Sequence, residues 1–365
     1  MEYKKTRTVT LGGFNNIKKI KIGTGNPVSI QTMWKDSISD VTSGSKKLED
    51  ILKQINNLKR LGCDIIRFAV PDMQSAKALC LIQYNTDVPL VADIHFDYRL
   101  ALECLKGPVA AIRINPGNIG NRDRVKAVID GCKEKGVAVR IGVNSGSIPH
   151  DIEEEVLQGK ITRSDGLVKS ALREVEIFDE FDFKNVVVSM KASSVDETIQ
   201  CNREFARVSD IPLHIGVTEA GPLITGVVKS TLAFSTLLGE GIGNTIRVSL
   251  SSTPENEVIT GREILHECGL RKGGVTLVSC PRCGRIGFDV HSFVDRWQTR
   301  LLSMDKDITV AIMGCVVNGP GEGKHADIGI AGGENKCIIF KKGKIIRTID
   351  AKDADKVFEE ELESL

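Results

Sequence analysis

The sequence has little of several features that mark common classes of protein. Aromatic residues make up only 5% of its 365 residues, so a surface that stacks the bases of single-stranded nucleic acid is not expected. Lysine and arginine total 49 against 48 acids, for a net charge of +1, whereas sequence-independent nucleic-acid binding relies on an excess of cations. No apolar run approaches the ~18 residues that span a bilayer. The sequence therefore predicts neither a nucleic-acid partner nor a membrane protein.

The beginning of the chain lacks the apolar core of a secretory signal peptide, because Met1–Lys5 lead into a segment rich in threonine, glycine and lysine. We therefore expect a cytoplasmic protein. A reducing compartment keeps thiols free, so the 10 cysteines are not expected to form a disulfide framework. A cluster of cysteines in this chain indicates a metal or redox site instead.

Short β-branched segments alternate with longer segments of helical period over roughly the first 250 residues, the pattern of repeated β/α units. The eight predicted strands are Val28–Met33, Asp64–Val70, Pro89–Phe96, Ala110–Pro116, Ala138–Val143, Asn185–Ser193, Pro212–Thr218 and Thr245–Ser252. Eight units in this length predict an α/β fold of the TIM (β/α)8 barrel type. A doubly wound sheet is the alternative, but the sequence has no Gly-x-Gly-x-x-Gly turn. A hairpin over Arg7–Ile22 is predicted to close the bottom of the barrel.

The pattern changes after Gly269, where strand-like segments are separated by longer irregular ones. These segments are Val275–Cys283, Thr309–Val317, Asp327–Ile330, Cys337–Phe340 and Lys344–Ile349. An acidic helix over Asp353–Leu365 is predicted to follow them, with Asp353 as its N-cap. We therefore expect a barrel domain over residues 1–268 and a smaller α+β domain over residues 269–365.

Charged and polar residues interrupt the predicted barrel strands near their C-terminal ends, although parallel strands covered on both faces are normally apolar. Residues two apart on a strand share a face, so pairs such as Asp93 with His95 are predicted to point together into the barrel mouth. TIM-barrel enzymes carry their chemistry there. The polar residues at these strand ends are Arg67, Asp93, His95, Arg113, Arg140, Asn144, Lys191, Glu219, Arg247 and Ser249.

Five of these residues are cations, one on each of five strands. Burying them together is costly unless an anion compensates their charge, and Asp93 and Glu219 neutralise only part of it. Because the guanidinium group matches phosphate oxygens, we expect a small-molecule substrate with one or two phosphate groups. Glu219 is the candidate for acid–base catalysis, as the one glutamate amid the cations. His95 is equally compatible with a structural role.

The second domain carries a candidate metal site. Cys280 and Cys283 form a Cys-x-x-Cys turn, and Cys315 follows in a loop rich in glycine. Zinc would need a fourth ligand, for which Cys337 and His325 are the candidates. An iron–sulfur cluster also uses cysteine thiolates and leaves room for a different ligand on one iron. A thioredoxin-like dithiol is disfavoured because Cys-x-x-Cys should then follow the first strand of a βαβ unit.

These motifs resemble those of the bacterial 4-hydroxy-3-methylbut-2-enyl diphosphate synthases of the methylerythritol phosphate route to isoprenoids. The resemblance covers nearly the whole chain, and its longest pieces lie far apart in the sequence. They are Arg113–Asn118 (RINPGN), Gly216–Gly221 (GVTEAG), Ser279–Arg285 (SCPRCGR) and Gly314–Glu322 (GCVVNGPGE).

The resemblance implies a TIM barrel followed by a domain that holds one [4Fe–4S] cluster on Cys280, Cys283, Cys315 and Glu322. It implies a substrate, methylerythritol cyclodiphosphate, that undergoes two-electron reductive ring opening, with Glu219 as the catalytic acid and Glu322 as an exchangeable cluster ligand. It also implies a ferredoxin or flavodoxin as electron donor and a homodimer in which each cluster domain covers the partner's barrel. The matching substrate-binding positions are Arg67, Arg113, Arg140, Asn144, Lys191, Arg247 and Ser249.

Two stretches depart from the family's pattern. After the first barrel strand the family has a short polar sequence, whereas this chain has Trp34–Ile38 (WKDSI); we assign no functional residue to that loop. Arg282 also replaces a commoner small residue between the two cysteines. Two other functions are compatible with the residues alone: a non-redox transferase on a phosphate- or pterin-binding barrel with a structural zinc domain, and a zinc-ribbon interaction module. The second leaves the five strand-end cations unexplained.

Overall fold

The structure is a computed structural model that describes residues 3–144, 146, 148–281, 288–315, 319–333 and 335–365. The chain divides into two compact units, Met1–Arg271 and Lys272–Leu365. In the described part of the chain, none of the helices combines the length and the apolar character needed to cross a membrane.

An antiparallel hairpin opens the first unit. Its strands are β1 (Val9–Leu11) and β2 (Ile20–Ile22). Four apolar side chains of the hairpin pack against residues near the N-terminal ends of the barrel strands, which lie at the bottom of the barrel. The contacted residues are Ile65, Val91, Ala111, Ala138 and Val187. The predicted hairpin thus covers the bottom of the barrel with apolar surface, which the hydrophobic effect favours.

Eight parallel strands form the barrel. They are β3 (Ser29–Met33), β4 (Ile65–Ala69), β5 (Leu90–Asp93), β6 (Ala111–Ile114), β7 (Ala138–Asn144), β8 (Val186–Lys191), β9 (His214–Ile215) and β10 (Thr245–Ile246). Neighbours follow chain order from β3 to β8, while β10 pairs with both β3 and β9. A bridge between Val188 and Leu213 connects β8 to the start of β9, so the strands form a nearly closed circle. The predicted TIM barrel is confirmed.

Helices surround the barrel, and the connections after most strands contain one. They are α1 (Lys46–Leu61), α2 (Met73–Tyr84), α3 (Tyr98–Cys104), α4 (Pro116–Ile119), α5 (Arg122–Lys135), α6 (His150–Leu157), α7 (Arg163–Glu180), α8 (Val195–Val208), α9 (Leu223–Gly239) and α10 (Pro254–Glu267). Helix α1 shows why they form where they do: the Ser45 side chain accepts the N–H of Leu48 at its start, and Gly62 adopts the left-handed conformation at its end.

The second unit is a five-stranded mixed sheet with helices. Its elements are β11 (Val275–Ser279), α11 (Val290–Leu302), β12 (Ile308–Met313), α12 (Gly319–Glu322), β13 (Ile328–Gly332), β14 (Lys336–Lys341), β15 (Lys344–Asp350) and α13 (Ala354–Glu363). Strands β11, β12 and β13 are parallel, and β14 and β15 extend the sheet antiparallel. Phe293, Trp297 and Phe358 pack together in its core. Asp353 occupies the N-cap position of α13 but makes no capping hydrogen bond through its side chain.

Candidate active site

A polar pocket lies at the C-terminal ends of the barrel strands, and most of the residues predicted for the barrel mouth line it. Because strands β4 to β8 and β10 are parallel and in register, their C-terminal side chains converge there. The lining residues are Met33, Arg67, Asp93, His95, Arg113, Arg140, Gly142, Asn144, Ser189, Lys191, Thr218 and Arg247. Five cations and one aspartate therefore share this pocket, with His95 at its exposed edge.

Asp93 is the carboxylate that organises two of the cations. Its Oδ1 accepts a hydrogen bond from Arg113 Nη1 at 3.1 Å, and its Oδ2 lies 3.4 Å from Arg67 Nε and 3.4 Å from His95 Nε2. Burial by itself would raise the pKa of Asp93, but Arg67, His95 and Arg113 together hold that pKa well below its ordinary value. Asp93 is thus ionised and fixes both arginines at the pocket wall.

Gly142 makes room for one of these arginines. It lies on β7 between Arg140 and Asn144, and a Cβ atom added there would be 2.4 Å from Arg113 Nε. Arg113 Nη2 also donates a hydrogen bond to the Gly142 carbonyl at 3.3 Å. A side chain at this position would displace the guanidinium group, so the glycine is required by close approach.

Several buried donors in the pocket or beside it have no hydrogen-bond partner among the described residues. Arg140 donates through Nη1 to Gln31 Oε1 at 2.9 Å, but its Nε and Nη2 are unpartnered, as are Arg247 Nε and Ser249 Oγ. Burial, and then the neighbouring cations, lower the pKa of Arg140 well below its ordinary value. Unpaired buried donors are costly, and a bound anion satisfies both their charge and their hydrogen-bonding capacity.

Lys191 contacts His214, a residue that the sequence analysis did not single out. Its Nζ lies 3.3 Å from His214 Nε2, and His214 Nδ1 lies 3.0 Å from Thr245 Oγ1. Burial and the surrounding cations lower the pKa of His214 well below its ordinary value, so the imidazole is neutral and accepts a hydrogen bond from Lys191. His214 is a polar residue in a buried strand, the same signal that identified the other pocket residues.

Two predicted residues are not among those that line the pocket. Glu219 is exposed on the turn after β9, and its φ of 50° places a non-glycine residue in the left-handed region. Thr218, its neighbour, lines the pocket. Ser249 is half-buried. The structure therefore brings Arg67, Asp93, Arg113, Arg140, Asn144, Lys191 and Arg247 together with His95, and leaves Glu219 on the turn beside them.

The candidate metal centre lies in the second unit, at the ends of two neighbouring parallel strands. Cys280 directly follows β11, and Cys315 lies two residues after β12. The Gly314 N–H donates to Cys280 Sγ at 3.0 Å. Half-buried thiols with a backbone N–H directed at sulfur suit an iron–sulfur cluster, whose sulfur atoms accept such bonds. Cys283 and Arg282 lie outside the described residues, as does the side chain of Glu322, which ends α12.

The alternative zinc ligands do not join these thiols. Where the structure describes the chain, no three His, Cys, Asp or Glu side chains converge as a metal site requires. Cys337 is instead buried in the core of the second unit, and burial raises the pKa of its thiol to about 11. Burial likewise raises the pKa of the Cys63 and Cys201 thiols to about 12, so both behave as small core residues.

Both units match models of known protein families. Residues 14–262 match the GcpE TIM-barrel domain, and residues 276–364 match the GcpE protein C-terminal domain. The chain is 53% identical to the 4-hydroxy-3-methylbut-2-en-1-yl diphosphate synthase (flavodoxin) of Treponema denticola, over 99% of both chains. It is 53% identical to the protein of the same name from Treponema pallidum, over 99% of this chain and 92% of that one. The Clostridium perfringens protein of that name is 48% identical over 97% of both.

Proposed function

The chain belongs to the GcpE family, and we propose that it is a 4-hydroxy-3-methylbut-2-en-1-yl diphosphate synthase. The reaction converts 2-C-methyl-D-erythritol 2,4-cyclodiphosphate to (E)-4-hydroxy-3-methylbut-2-enyl diphosphate. Two electrons and two protons enter, a ring carbon–oxygen bond breaks so that the diphosphate becomes linear, and one hydroxyl leaves as water. The observation that carries this proposal is the pocket of five cations, whose unpartnered donors call for a phosphate-bearing ligand.

The cations suit a cyclic diphosphate better than a single small anion, because their donors come from several sides of the pocket. Arg67 and Arg113 are held by Asp93 at one wall, whereas Arg140 and Lys191 come from the next strands of the barrel. We assign the diphosphate oxygens to these four side chains and to Arg247, with Asn144 and Ser249 as neutral donors. Guanidinium groups bind phosphate oxygens through paired hydrogen bonds.

We assign a [4Fe–4S] cluster to Cys280, Cys283, Cys315 and Glu322. When bound, the cluster supplies the two electrons one at a time. The support is the donor set: two half-buried thiols at adjacent strand ends, one of them already accepting a backbone N–H. A carboxylate oxygen binds iron less tightly than a thiolate, so Glu322 would be the most easily displaced of the four ligands.

Glu219 is assigned as the acid that protonates the departing oxygen. Its left-handed backbone conformation is unfavourable for a residue with a Cβ atom, and strain of this kind concentrates at functional sites. Thr218 joins its turn directly to the pocket lining. The carboxyl group is exposed, so it can exchange protons with solvent between turnovers.

The electron donor is proposed to be flavodoxin, which the names of the relatives specify, with ferredoxin as the alternative carrier of single electrons. We further propose that the protein is a homodimer and that the reaction runs in the cytoplasm, where thiolate ligands stay reduced. A donor that delivers one electron at a time is needed because the cluster stores one.

The test is an anaerobic assay of the full-length protein with the cyclic diphosphate and chemically reduced flavodoxin. We expect formation of the linear diphosphate and about four irons per chain. Glu322→Cys should keep a coloured cluster but lose most of the turnover, because a thiolate does not yield its iron readily. Iron-loaded protein that binds the cyclic diphosphate without reducing it would contradict the proposed reaction, and undiminished turnover in Glu322→Cys would contradict the exchangeable ligand.

A further inference from the structure

A buried carboxylate that was not among the predicted site residues contacts Arg247, one of the residues that line the pocket. Glu257, in the first turn of α10, has no exposed side-chain surface. Its Oε2 accepts the hydroxyl of Thr32 at 2.8 Å, and its Oε1 accepts the backbone N–H of Leu250 at 3.1 Å. The same oxygen lies 3.1 Å from Lys35 Nζ and 3.4 Å from Arg247 Nη2. One carboxylate therefore joins β3, α10 and the segment after β10.

The lysine in this arrangement belongs to the loop that departs from the family's pattern. Besides its ion pair with Glu257, Lys35 Nζ donates to the Leu250 carbonyl at 2.9 Å and to the Ser252 carbonyl. Since the Leu250 N–H goes to Glu257, both polar groups of the Leu250 backbone are held by one ion pair. Strand β10 ends at Ile246, and beyond it the Arg247 N–H donates to the Ile215 carbonyl at 3.0 Å, so the contacts of Lys35 and Glu257 add to the support of the segment from Arg247 to Ser252.

The rest of the loop holds Lys35 in place. The Trp34 ring is buried and stacks on Phe68, with 5.1 Å between the ring centroids. The backbone N–H of Trp34 donates to the Arg67 carbonyl at 2.8 Å. A large ring fixed in this way restricts the backbone of the next residue, so Lys35 reaches Glu257 with little loss of entropy on pairing.

The segment that this ion pair holds carries residues assigned to the substrate. Arg247 lines the pocket. Ser249, in the same segment, has a buried hydroxyl oxygen without a hydrogen-bond partner among the described residues. The Ser251 N–H donates to the Gly221 carbonyl at 3.1 Å, which links the segment to the turn that bears Glu219. A shift of Leu250 would therefore move the groups that meet the diphosphate.

We propose that Lys35 is a positioning residue for the phosphate-binding segment Arg247–Ser252, acting through its ion pair with Glu257. The inference rests on the proposed function for the identity of the substrate, but the positioning itself concerns any diphosphate bound in the pocket. Lys35 is a third exposed and does not line the pocket, so it touches no ligand there.

The primary test is Lys35→Met, which keeps the length of the side chain and removes its charge. We expect KM for the cyclic diphosphate to rise roughly tenfold while kcat falls less than about threefold, because the lost order weakens binding more than it changes the reacting groups. The Kd for inorganic pyrophosphate, measured by calorimetry on the iron-loaded protein, should rise by a similar factor.

The matched control is Lys47→Met. Lys47 lies in the first turn of α1, a few residues after the loop that carries Lys35, and forms an ion pair with exposed Asp40. We expect this variant to leave KM within about twofold of wild type. Added salt separates positioning from long-range attraction: the Lys35→Met defect should persist at about 0.5 M salt, where exposed charges are screened. A defect that vanishes in salt, or one of equal size in Lys47→Met, would overturn the proposal.

A double-mutant cycle with Glu257→Gln tests whether the two residues act as one unit. If they do, the double variant should bind pyrophosphate about as weakly as the worse single variant; additive losses would show independent roles and refute the pair. Wild-type protein that binds pyrophosphate but not the cyclic diphosphate would refute the proposed function and leave the pyrophosphate comparison intact. Equal pyrophosphate affinity in wild type and Lys35→Met would refute the positioning role alone.

Discussion

Individual pocket residues differ in how they tolerate burial. Arg67 and Arg113 lie against the carboxylate of Asp93, whereas Lys191 is buried with the neutral imidazole of His214 as its hydrogen-bond partner. Among the described residues, no carboxylate lies within ion-pair distance of its Nζ. Burial first, and then Arg67, Arg247, Arg140 and Arg113, lower the pKa of Lys191 well below its ordinary value. A bound anion reverses this effect, because an opposite charge favours the protonated amine.

Substrate binding is therefore expected to take up a proton at Lys191. The amine loses its proton at a lower pH in the free protein than in the complex, so between these two pKa values the complex holds more protons, and affinity falls as pH rises through that range. Calorimetry of pyrophosphate binding in buffers with different heats of ionisation measures the uptake. Lys191→Met should reduce the uptake by the proton that Lys191 takes up, while exposed Lys184→Met should leave it unchanged. Binding without proton uptake at every pH tested below 10.5, the ordinary pKa of lysine, would disprove this coupling.

At the scale of elements, helix α7 contains a buried acid that is not part of the pocket. Glu174 accepts the backbone N–H of Gly117 in α4, the short helix that follows β6. Its Oε2 has no hydrogen-bond partner in the described part of the chain. Burial is the main cause that raises the pKa of Glu174 to about 7. The hydrogen bond from Gly117 favours the ionised carboxylate, but burial outweighs it.

The stability of the barrel should therefore decrease between about pH 4.5, the ordinary pKa of glutamate, and about pH 7. In this window the folded protein holds a proton that the unfolded chain has lost, so folding becomes less favourable as pH rises. The shift corresponds to about 3 kcal/mol. Urea unfolding at about pH 5 and about pH 8 should show this loss for wild type and for exposed Glu176→Gln but not for Glu174→Gln. A parallel pH dependence in all three would rule it out.

The elements themselves were predictable where their signal is local. Polar residues at alternate positions of short β-branched segments identified the barrel strands and the side chains that share the pocket. Helix α11 was missed although its signal is also local: Val290, Phe293, Trp297 and Leu301 are three or four residues apart and buried, and Asp289 caps its start. The pairing of Lys35 with Glu257 was not predictable, because the two residues meet only when the first and last barrel strands close the sheet.

At the scale of the whole molecule, the chemistry is divided between the two units. Every residue that lines the described pocket belongs to the first unit, and Cys280 and Cys315 belong to the second. In the homodimer that we propose, each cluster domain would serve the barrel of the partner chain. A site shared in this way makes activity a property of the homodimer and predicts that two different defects can complement each other.

Complementation between two inactive chains tests this arrangement. Lys191→Ala removes a pocket cation and Cys315→Ser removes a cluster ligand, so each homodimer should be inactive. When the two variants are co-expressed with different tags and purified through both, the heterodimer has one intact barrel and one intact cluster domain, on different chains. If sites are shared, it should have about half the wild-type turnover, because one of its two sites is complete. Inactive heterodimers would show that each site is built within one chain, and no protein recovered through both tags would show that the chain is a monomer.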